Sequence, residues 1–395
     1  MNFKDENVIN HKYTNFLHQQ PYRVCTKTIM DTSDINITFD ENGISNHFYI
    51  YDNYKKSMFD NKDSHELMMR SVKKIKSERK NNEFDVILGI SGGVDSSYLA
   101  HYATKVLGFK VLLLHIDTGW NSDIAVQNIK NLADKLDLEL HTYVLDWEVI
   151  KDLQRSFFLS GVANLDIPQD HAFSACMYNE AKKNKINYIL SGGNMTTESI
   201  LPKSYGYDSS DSRHLLDIHK KFGKKKLKNY PIFSIYKRMF YYPIVKSIKT
   251  FRPLDYLDYN KDEARALLQK DYGWQDYGGK HCESKFTKFF QNYYLPTKFG
   301  FDKRKAHLSS LISCGQITRD EAIKEINKPI YDKDELIIDK EYFIKKLDIS
   351  HSQYEEVMNS KPKLHSEYKS YKKLYNFLRQ YSKAFSFVKN SLNKI

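Results

Sequence analysis

A short apolar run, Val86-Ile-Leu-Gly-Ile90, breaks at Ser91-Gly92-Gly93 and passes into Val94-Asp-Ser-Ser97, a sequence suited to opening a helix. Near-continuous hydrophobicity over strand length is the pattern of a strand buried on both faces of a parallel sheet. The two glycines allow a sharp turn and a close backbone approach to a ligand, and Ser91, Ser96 and Ser97 add hydroxyls beside the free N–H groups of a helix start. Strand, glycine turn and helix in that order make a phosphate-binding site. No Gly-Lys-Ser/Thr follows, so this is not a Walker A loop, and Gly-x-Gly-x-x-Gly is absent as well.

Beyond this loop the chain alternates strand and helix as a doubly wound, mostly parallel α/β fold does. The expected elements are a helix over Ser96–Leu107 closed by Gly108, a strand over Lys110–Ile116 and a helix over Asp123–Leu136. A strand over His141–Leu145, helices near Trp147–Leu159 and Ala172–Asn184, and a strand over Tyr188–Leu190 follow. Asp117 then falls at the carboxyl end of a parallel strand, where open α/β sheets bind ligands. It either contacts an adenosine or metal, or caps its own turn. Ser191-Gly-Gly-Asn194 is a second glycine turn at a strand end, and Glu198 lies one helical turn beyond Asn194.

Ser91-Gly-Gly-Val-Asp-Ser96 resembles the PP-loop of ATP pyrophosphatases, which split ATP into AMP and pyrophosphate while adenylating a substrate oxygen. With Asp117-Thr-Gly-Trp-Asn-Ser122, Ser191–Glu198, Gly278-Gly-Lys-His-Cys-Glu-Ser-Lys-Phe-Thr-Lys-Phe-Phe-Gln291, Tyr294–Arg304 and Ala306–Ser310, the chain is similar to the N-acetyl sugar amidotransferase family. The resemblance covers roughly residues 20–330. It implies conversion of an acetamido group of an acidic N-acetyl amino sugar, free or nucleotide-linked, into an acetamidino group in bacterial surface polysaccharide (O-antigen, capsule or glycan) synthesis. Ammonia would come from separate glutaminase subunits.

On that resemblance, Ser91, Gly92, Gly93, Asp95, Ser96, Ser97, Asp117, Gly192, Gly193 and Asn194 are expected to bind ATP. Asp95 and Glu198 are expected to hold Mg2+, which takes one or two carboxylates plus phosphate oxygens. The catalytic candidates are Asp95, Lys280, Glu283 and Arg304. Lys285, Lys298 and Lys303 are further candidates for phosphates or a sugar carboxylate, and His281, Glu283 and His307 for proton removal from ammonium.

Three regions are expected: a small module over residues 1–80, the ATP-binding domain over 81–250, and a mainly helical region over 251–395. Related chains carry two Cys-x-x-Cys pairs in the first module, where this one has Cys25-Thr-Lys-Thr28 and Ser45-Asn-His-Phe48. No zinc or iron–sulfur cluster is expected there. No glutaminase activity is expected of the chain itself, since residue 2 is Asn and no Gly-x-Cys-x-Gly elbow occurs. Four dispersed cysteines fit a reducing compartment, and the absence of a spanning apolar run or leader points to the cytoplasm.

A net charge of +12 suits an anionic substrate, a membrane surface or nucleic acid. A PP-loop enzyme adenylating a tRNA base is therefore the competing expectation, although no RNA-binding appendage or catalytic cysteine pair for sulfur transfer accompanies it. Near the end, Thr318–Glu321 and Ser352–Glu355 read as capping boxes. Leu364, Tyr368, Tyr371, Tyr375, Leu378, Phe385, Val388 and Leu392 read as one face of a long basic helix.

Overall fold

The computed structural model describes residues 21–58, 64–79, 82–278 and 283–378. Five parallel strands form one sheet: β1 (Val86–Gly89), β2 (Val111–Asp117), β3 (Leu140–Val144), β4 (Tyr188–Leu190) and β5 (Lys249–Phe251). Their order is β3-β2-β1-β4-β5. Leu88 pairs with Leu113 on one side and Leu190 on the other. The strand alternation feeds two cores. Val86, Leu88, Val111 and Leu113 enter one, while Ile87, Leu112, Leu114 and Ile116 enter the other. Both faces of the sheet are covered, which is why β1 and β2 read as unbroken apolar runs. The chain winds outward to β3 and then returns to β4 on the other side of β1, so the crevice at the carboxyl ends of β1 and β4 is the switch point. The doubly wound expectation holds.

The helices of this half are α1 (Phe48–Met58), α2 (Ser64–Glu78), α3 (Val94–His101), α4 (Asp123–Leu136), α5 (Trp147–Ser160), α6 (Ile167–Lys183), α7 (Met195–Glu198) and α8 (Ser212–Phe222). The chain continues with α9 (Lys261–Tyr272), α10 (Lys285–Phe289), α11 (Leu295–Phe299), α12 (Lys303–Ser313), α13 (Arg319–Ile326), α14 (Lys333–Lys346) and α15 (His351–Asn359). The helix after the loop starts at Val94, two residues earlier than expected, because Gly93 already takes the extended cap conformation. The helix α6 starts at Ile167 with Pro168 in its first turn, a position that needs no N–H donor. The sequence did not suggest β5; Lys249 and Thr250 are exposed on this edge strand and leave no alternation to read.

Ahead of α1 and α2, residues 21–47 of the first module are turns and bends with no strand. Only single bridges join Val24 to Asp31 and Phe39 to Ser45. The Cys25 Sγ accepts N–H groups from Thr28 at 3.4 Å and Ser45 at 3.2 Å, so positions from both degenerate cysteine pairs converge on one sulfur. Burial raises the thiol pKa, but the hydrogen bonds from Ser45 and Thr28 together leave it below its ordinary value. An ion pair from Lys305 to Asp31 and a hydrogen bond from Ile29 N–H to Ser309 Oγ, 3.2 Å, fasten this module to α12.

Thr318 and Glu321 form the expected capping box at α13. The second box is Ser350 with Gln353 instead of Ser352 with Glu355. Ile349 and Tyr354 flanking that start are both buried, the arrangement of a hydrophobic staple. The expected long terminal helix is interrupted: Leu364–Tyr371 carries only a short turn at His365–Glu367, and helix resumes at Lys372–Leu378. Phe385, Val388 and Leu392 lie outside the described residues. Tyr368 is buried and donates to Ser160 O at 2.8 Å, so this strap packs into the main core.

The strap is closed by a histidine pair. His365 Nδ1 lies 3.1 Å from His214 Nε2, and Tyr207 stacks on both rings. Burial pushes His214 down from 6.5 to about 4 and His365 well below its ordinary value. The unfolded chain therefore binds protons that the folded chain refuses, and stability falls as pH drops from 6.5 towards 4. The His214 shift alone corresponds to about 3 kcal/mol. Urea titrations across this window should show the loss, and His214→Gln should reduce it.

Candidate active site

The loop after β1 is built for close backbone contact. Gly92 has φ +80°, and a Cβ there would lie 2.6 Å from the Ala125 carbonyl oxygen in α4. Gly93 caps α3 with no side chain of its own in the way, and Ser91 Oγ accepts its N–H at 3.3 Å. Ser96 Oγ lies 3.3 Å from Ser91 Oγ and donates to Gly93 O at 3.2 Å. Ser97 is fully buried, and its Oγ has no hydrogen-bond partner. From the other side of the switch point, a Cβ on Gly192 would lie 3.4 Å from Asp95 C and Ser96 N, so the second glycine turn rests on the first. A tight glycine turn at the start of a helix, with only glycine tolerated at Gly92, fits a pyrophosphate group.

The carboxylates gather on the β4 side. Tyr259 donates to Asp95 Oδ1 at 2.6 Å, and burial, together with the charges of Asp95 and Glu198, raises the Tyr259 pKa far above its ordinary value. Tyr259 is therefore a donor at every accessible pH, and it orients Asp95. A Cβ on Gly193 would lie 3.6 Å from Glu198 Oε2 and 3.8 Å from Arg252 Nη2. Arg252 also donates to Gly193 O at 3.0 Å and pairs with Asp255 at 2.9 Å. Burial raises the Asp255 pKa against the pull of Arg252. Among the described residues no three His, Cys, Asp or Glu side chains gather as a closed metal site would require. Asp95 and Glu198 still suit magnesium, which completes its shell with phosphate oxygens and water.

A cavity of about 410 Å³ opens on the β2 side of the same loop. It runs from Ser91 past His115, Thr118 and Asn121 at the end of β2 to Asp166, Gln169 and Asp170 at the start of α6. Its far wall is Glu283, Ser284, Thr287, Gln291 and Lys303. Asp166 accepts from Gln169 at 2.6 Å, Thr287 at 3.2 Å and Gln291 at 3.4 Å, which holds its carboxyl in place. Burial and the neighbouring Asp166 charge push the Asp170 carboxyl well up, with Lys303 opposing. The segment before this wall closes the loop: Trp274 Nε1 donates to Gly92 O at 2.8 Å, and a Cβ on Gly93 would lie 3.2 Å from Tyr277 Oη and 3.7 Å from Glu283 Oε1.

The sequence candidates therefore separate. Ser91, Gly92, Gly93, Asp95, Ser96, Ser97, Gly192, Gly193, Glu198 and Glu283 come together around the loop, and Lys303 lines the cavity. Asp117 is turned to its own turn, accepting from Gly119 N at 2.7 Å and Asn121 Nδ2 at 3.0 Å. Asn194 is buried and caps α7 through Thr197 N at 2.8 Å. Arg304 lies off the cavity: it forks onto Asp302 at 2.8 Å and onto the carbonyls of Ile326 and Lys328, tying α12 to the end of α13. Lys298 is buried and donates to Ser360 O at 2.7 Å beyond the end of α15, its pKa lowered by burial to about 8. Lys285 lies over the Tyr342 ring, and His307 lies on α12. Lys280 and His281 lie outside the described residues. Arg252, Asp255, Tyr259, Trp274, Tyr277, Asp166, Gln169 and Asp170 are the site residues that sequence reasoning missed.

Known proteins bear on this geometry in three ways. Residues 283–382 match the family model described as LPS biosynthesis protein WbpG-like, C-terminal domain, and residues 67–231 match NAD synthase. Among curated proteins, the chain is 27% identical over 186 residues to a glutamine-hydrolyzing GMP synthase of Chlamydia muridarum, 46% of this chain and 30% of that one. It is 35% identical over 81 residues to the glutamine-dependent NAD(+) synthetase of Aquifex aeolicus, 20% of this chain and 13% of that one. The matched stretches thus span well under two thirds of these relatives. Among solved structures, an NH3-dependent NAD synthetase from Campylobacter jejuni aligns at 17% identity and TM-score 0.31, covering 71% of this chain and 94% of that one. NMN synthetase from Francisella tularensis aligns at 13% and 0.33, covering 73% and 95%. At such scores the fold rests on the strand order and the NAD synthase match instead. The stretch that matches NAD synthase carries the loop and the stretch that matches the WbpG-like domain walls its cavity, a pairing that matches the N-acetyl sugar amidotransferase family of the PP-loop superfamily.

Proposed function

We propose that the protein is an ATP-dependent, ligase-type amidotransferase that converts an acetamido group of an acidic N-acetyl sugar into an acetamidino group, for bacterial surface polysaccharide. The observation that carries this reading is the cavity itself. Its inner end is Ser91 of the loop, and its outer wall, Glu283 to Lys303, comes from the stretch that matches the WbpG-like domain.

An acetamide is a poor electrophile, so its oxygen has to become a leaving group. Adenylation by ATP achieves this, with pyrophosphate leaving into the cradle of Ser91–Ser97 and ammonia then displacing AMP. Magnesium held by Asp95 and Glu198 would offset charge on the departing phosphates. Lys303 supplies a cation for the sugar carboxylate. An ammonium ion has to lose a proton before it attacks, and a carboxyl with a raised pKa such as Asp170 suits that role. Ammonia comes from a separate glutaminase, free ammonium replacing it in vitro.

With ATP, magnesium, ammonium and acidic acetamido sugars, mass spectrometry should find a sugar product in which NH has replaced O. Lys303→Met should raise the KM for the sugar about tenfold or more and leave that for ATP unchanged. Failure of every acidic acetamido sugar, with AMP released only on addition of tRNA, would overturn the reading in favour of tRNA modification.

A further inference from the structure

From His219 to Leu254 the chain contains eleven lysines and arginines and no aspartate or glutamate. Inside this stretch a widely wound helix, Lys237–Val245, leaves the apolar side chains of Tyr236, Phe240, Ile244 and Val245 46–61% exposed. Tyr236, Phe240 and Ile244 follow one another at four-residue steps along one side, and the Tyr236 and Phe240 rings lie 5.6 Å apart. The opposite side is firmly held: Tyr242 is buried, packs against Tyr178 at 4.9 Å and donates to Asn179 Oδ1 at 2.6 Å. The exposed stripe is therefore a fixed feature of the surface.

Cations surround it. The ammonium groups of Lys182 and Lys246 each lie 5.6 Å from the Tyr241 ring, and that of Lys249 lies 5.6 Å from the Tyr188 ring. An apolar stripe with a basic border and no acidic residue on its own segment is the composition that adsorbs to an anionic bilayer, where the apolar groups enter the headgroup region and the lysines meet lipid phosphates. A second copy of the same face would bring like charges together. Phe240, Ile244 and Val245 offer no hydrogen-bonding group with which to read a nucleobase. Val245 also leads through Ile248 into the amino end of β5, whereas the loop and cavity lie at the carboxyl ends of the strands.

We propose that the Tyr236–Lys249 face is a docking surface for a membrane rich in anionic phospholipid, leaving the active-site crevice turned away from the bilayer. The proposal is independent of the sugar assigned above.

The test is sedimentation of the full chain with vesicles of phosphatidylcholine alone and of phosphatidylcholine mixed with phosphatidylglycerol. Binding is expected only to the mixed vesicles, reversed by salt. Phe240→Ser with Ile244→Ser, and separately Lys246→Glu with Lys249→Glu, should each lower partitioning about tenfold or more without shifting the thermal midpoint. If the first pair impairs folding, Ile244→Ser alone makes the same comparison. No binding to the mixed vesicles, or equal binding by both variant pairs, overturns the proposal. So does retardation of tRNA that the lysine variants abolish while vesicles never bind, since that outcome assigns the face to nucleic acid.

Discussion

Gly92→Ala is expected to cut AMP formation about 100-fold while leaving the protein folded. The new methyl group would start 2.6 Å from the Ala125 carbonyl oxygen and 3.1 Å from its Cα, both part of the first turn of α4. Backbone cannot swing aside as a flexible side chain can, so the loop has to shift. The left-handed conformation at φ +80° adds about 1–2 kcal/mol of strain for any residue with a Cβ. Displacing a phosphate cradle by about an ångström has the kinetic cost quoted, because catalysis here is mostly positioning. Gly278→Ala is the matching control. It also has a positive φ, +88°, but nothing among the described residues lies within 4 Å of its Cβ, so it should show the strain without the crowding. Equal losses in both variants would remove the close approach at Gly92 from the explanation.

The second large effect is on stability. Phe343 on α14 is 1% exposed, and its ring lies 4.5 Å from Phe289, 5.3 Å from Phe158 and 5.7 Å from Phe286. It joins the C-terminal helices to α5 and, through Trp120 at 6.4 Å, to the turn after β2. Phe343→Ala should destabilise the protein by about 3–5 kcal/mol, read as a lower urea midpoint. One core runs from Leu114 in the sheet to Phe343, so unfolding of 81–250 and 251–395 should appear as a single transition. Two well-separated transitions, with only the second half affected by the substitution, would show that the halves fold independently.

Legibility in the sequence followed the range of the interactions. The apolar runs of β1 and β2, the glycine turn and the helix over Asp123–Leu136 capped by Ser122 are local patterns, and each was readable. The loop's cover was not. Trp274 reaches Gly92 across 182 positions, and Tyr259 reaches Asp95 across 164, with no periodicity to announce either contact. Two displaced candidates did carry a local signal. Asn194 precedes Met-Thr-Thr as an N-cap residue would, and Asp302 stands two positions before Arg304, close enough to take its guanidinium. A basic residue in a glycine- and aromatic-rich block looks like a phosphate ligand until the acid beside it is counted. The cavity's acidic wall went unread because Asp166 and Asp170 open a helix whose first turn was assigned to the preceding connection.

The most direct test follows phosphorus. A 31P NMR spectrum of the protein with ATP, magnesium, ammonium and an acidic acetamido sugar should show AMP and pyrophosphate accumulating in step, and only when the sugar is present. ADP with inorganic phosphate would contradict cleavage at the α–β bond and with it the role given to Ser91–Ser97.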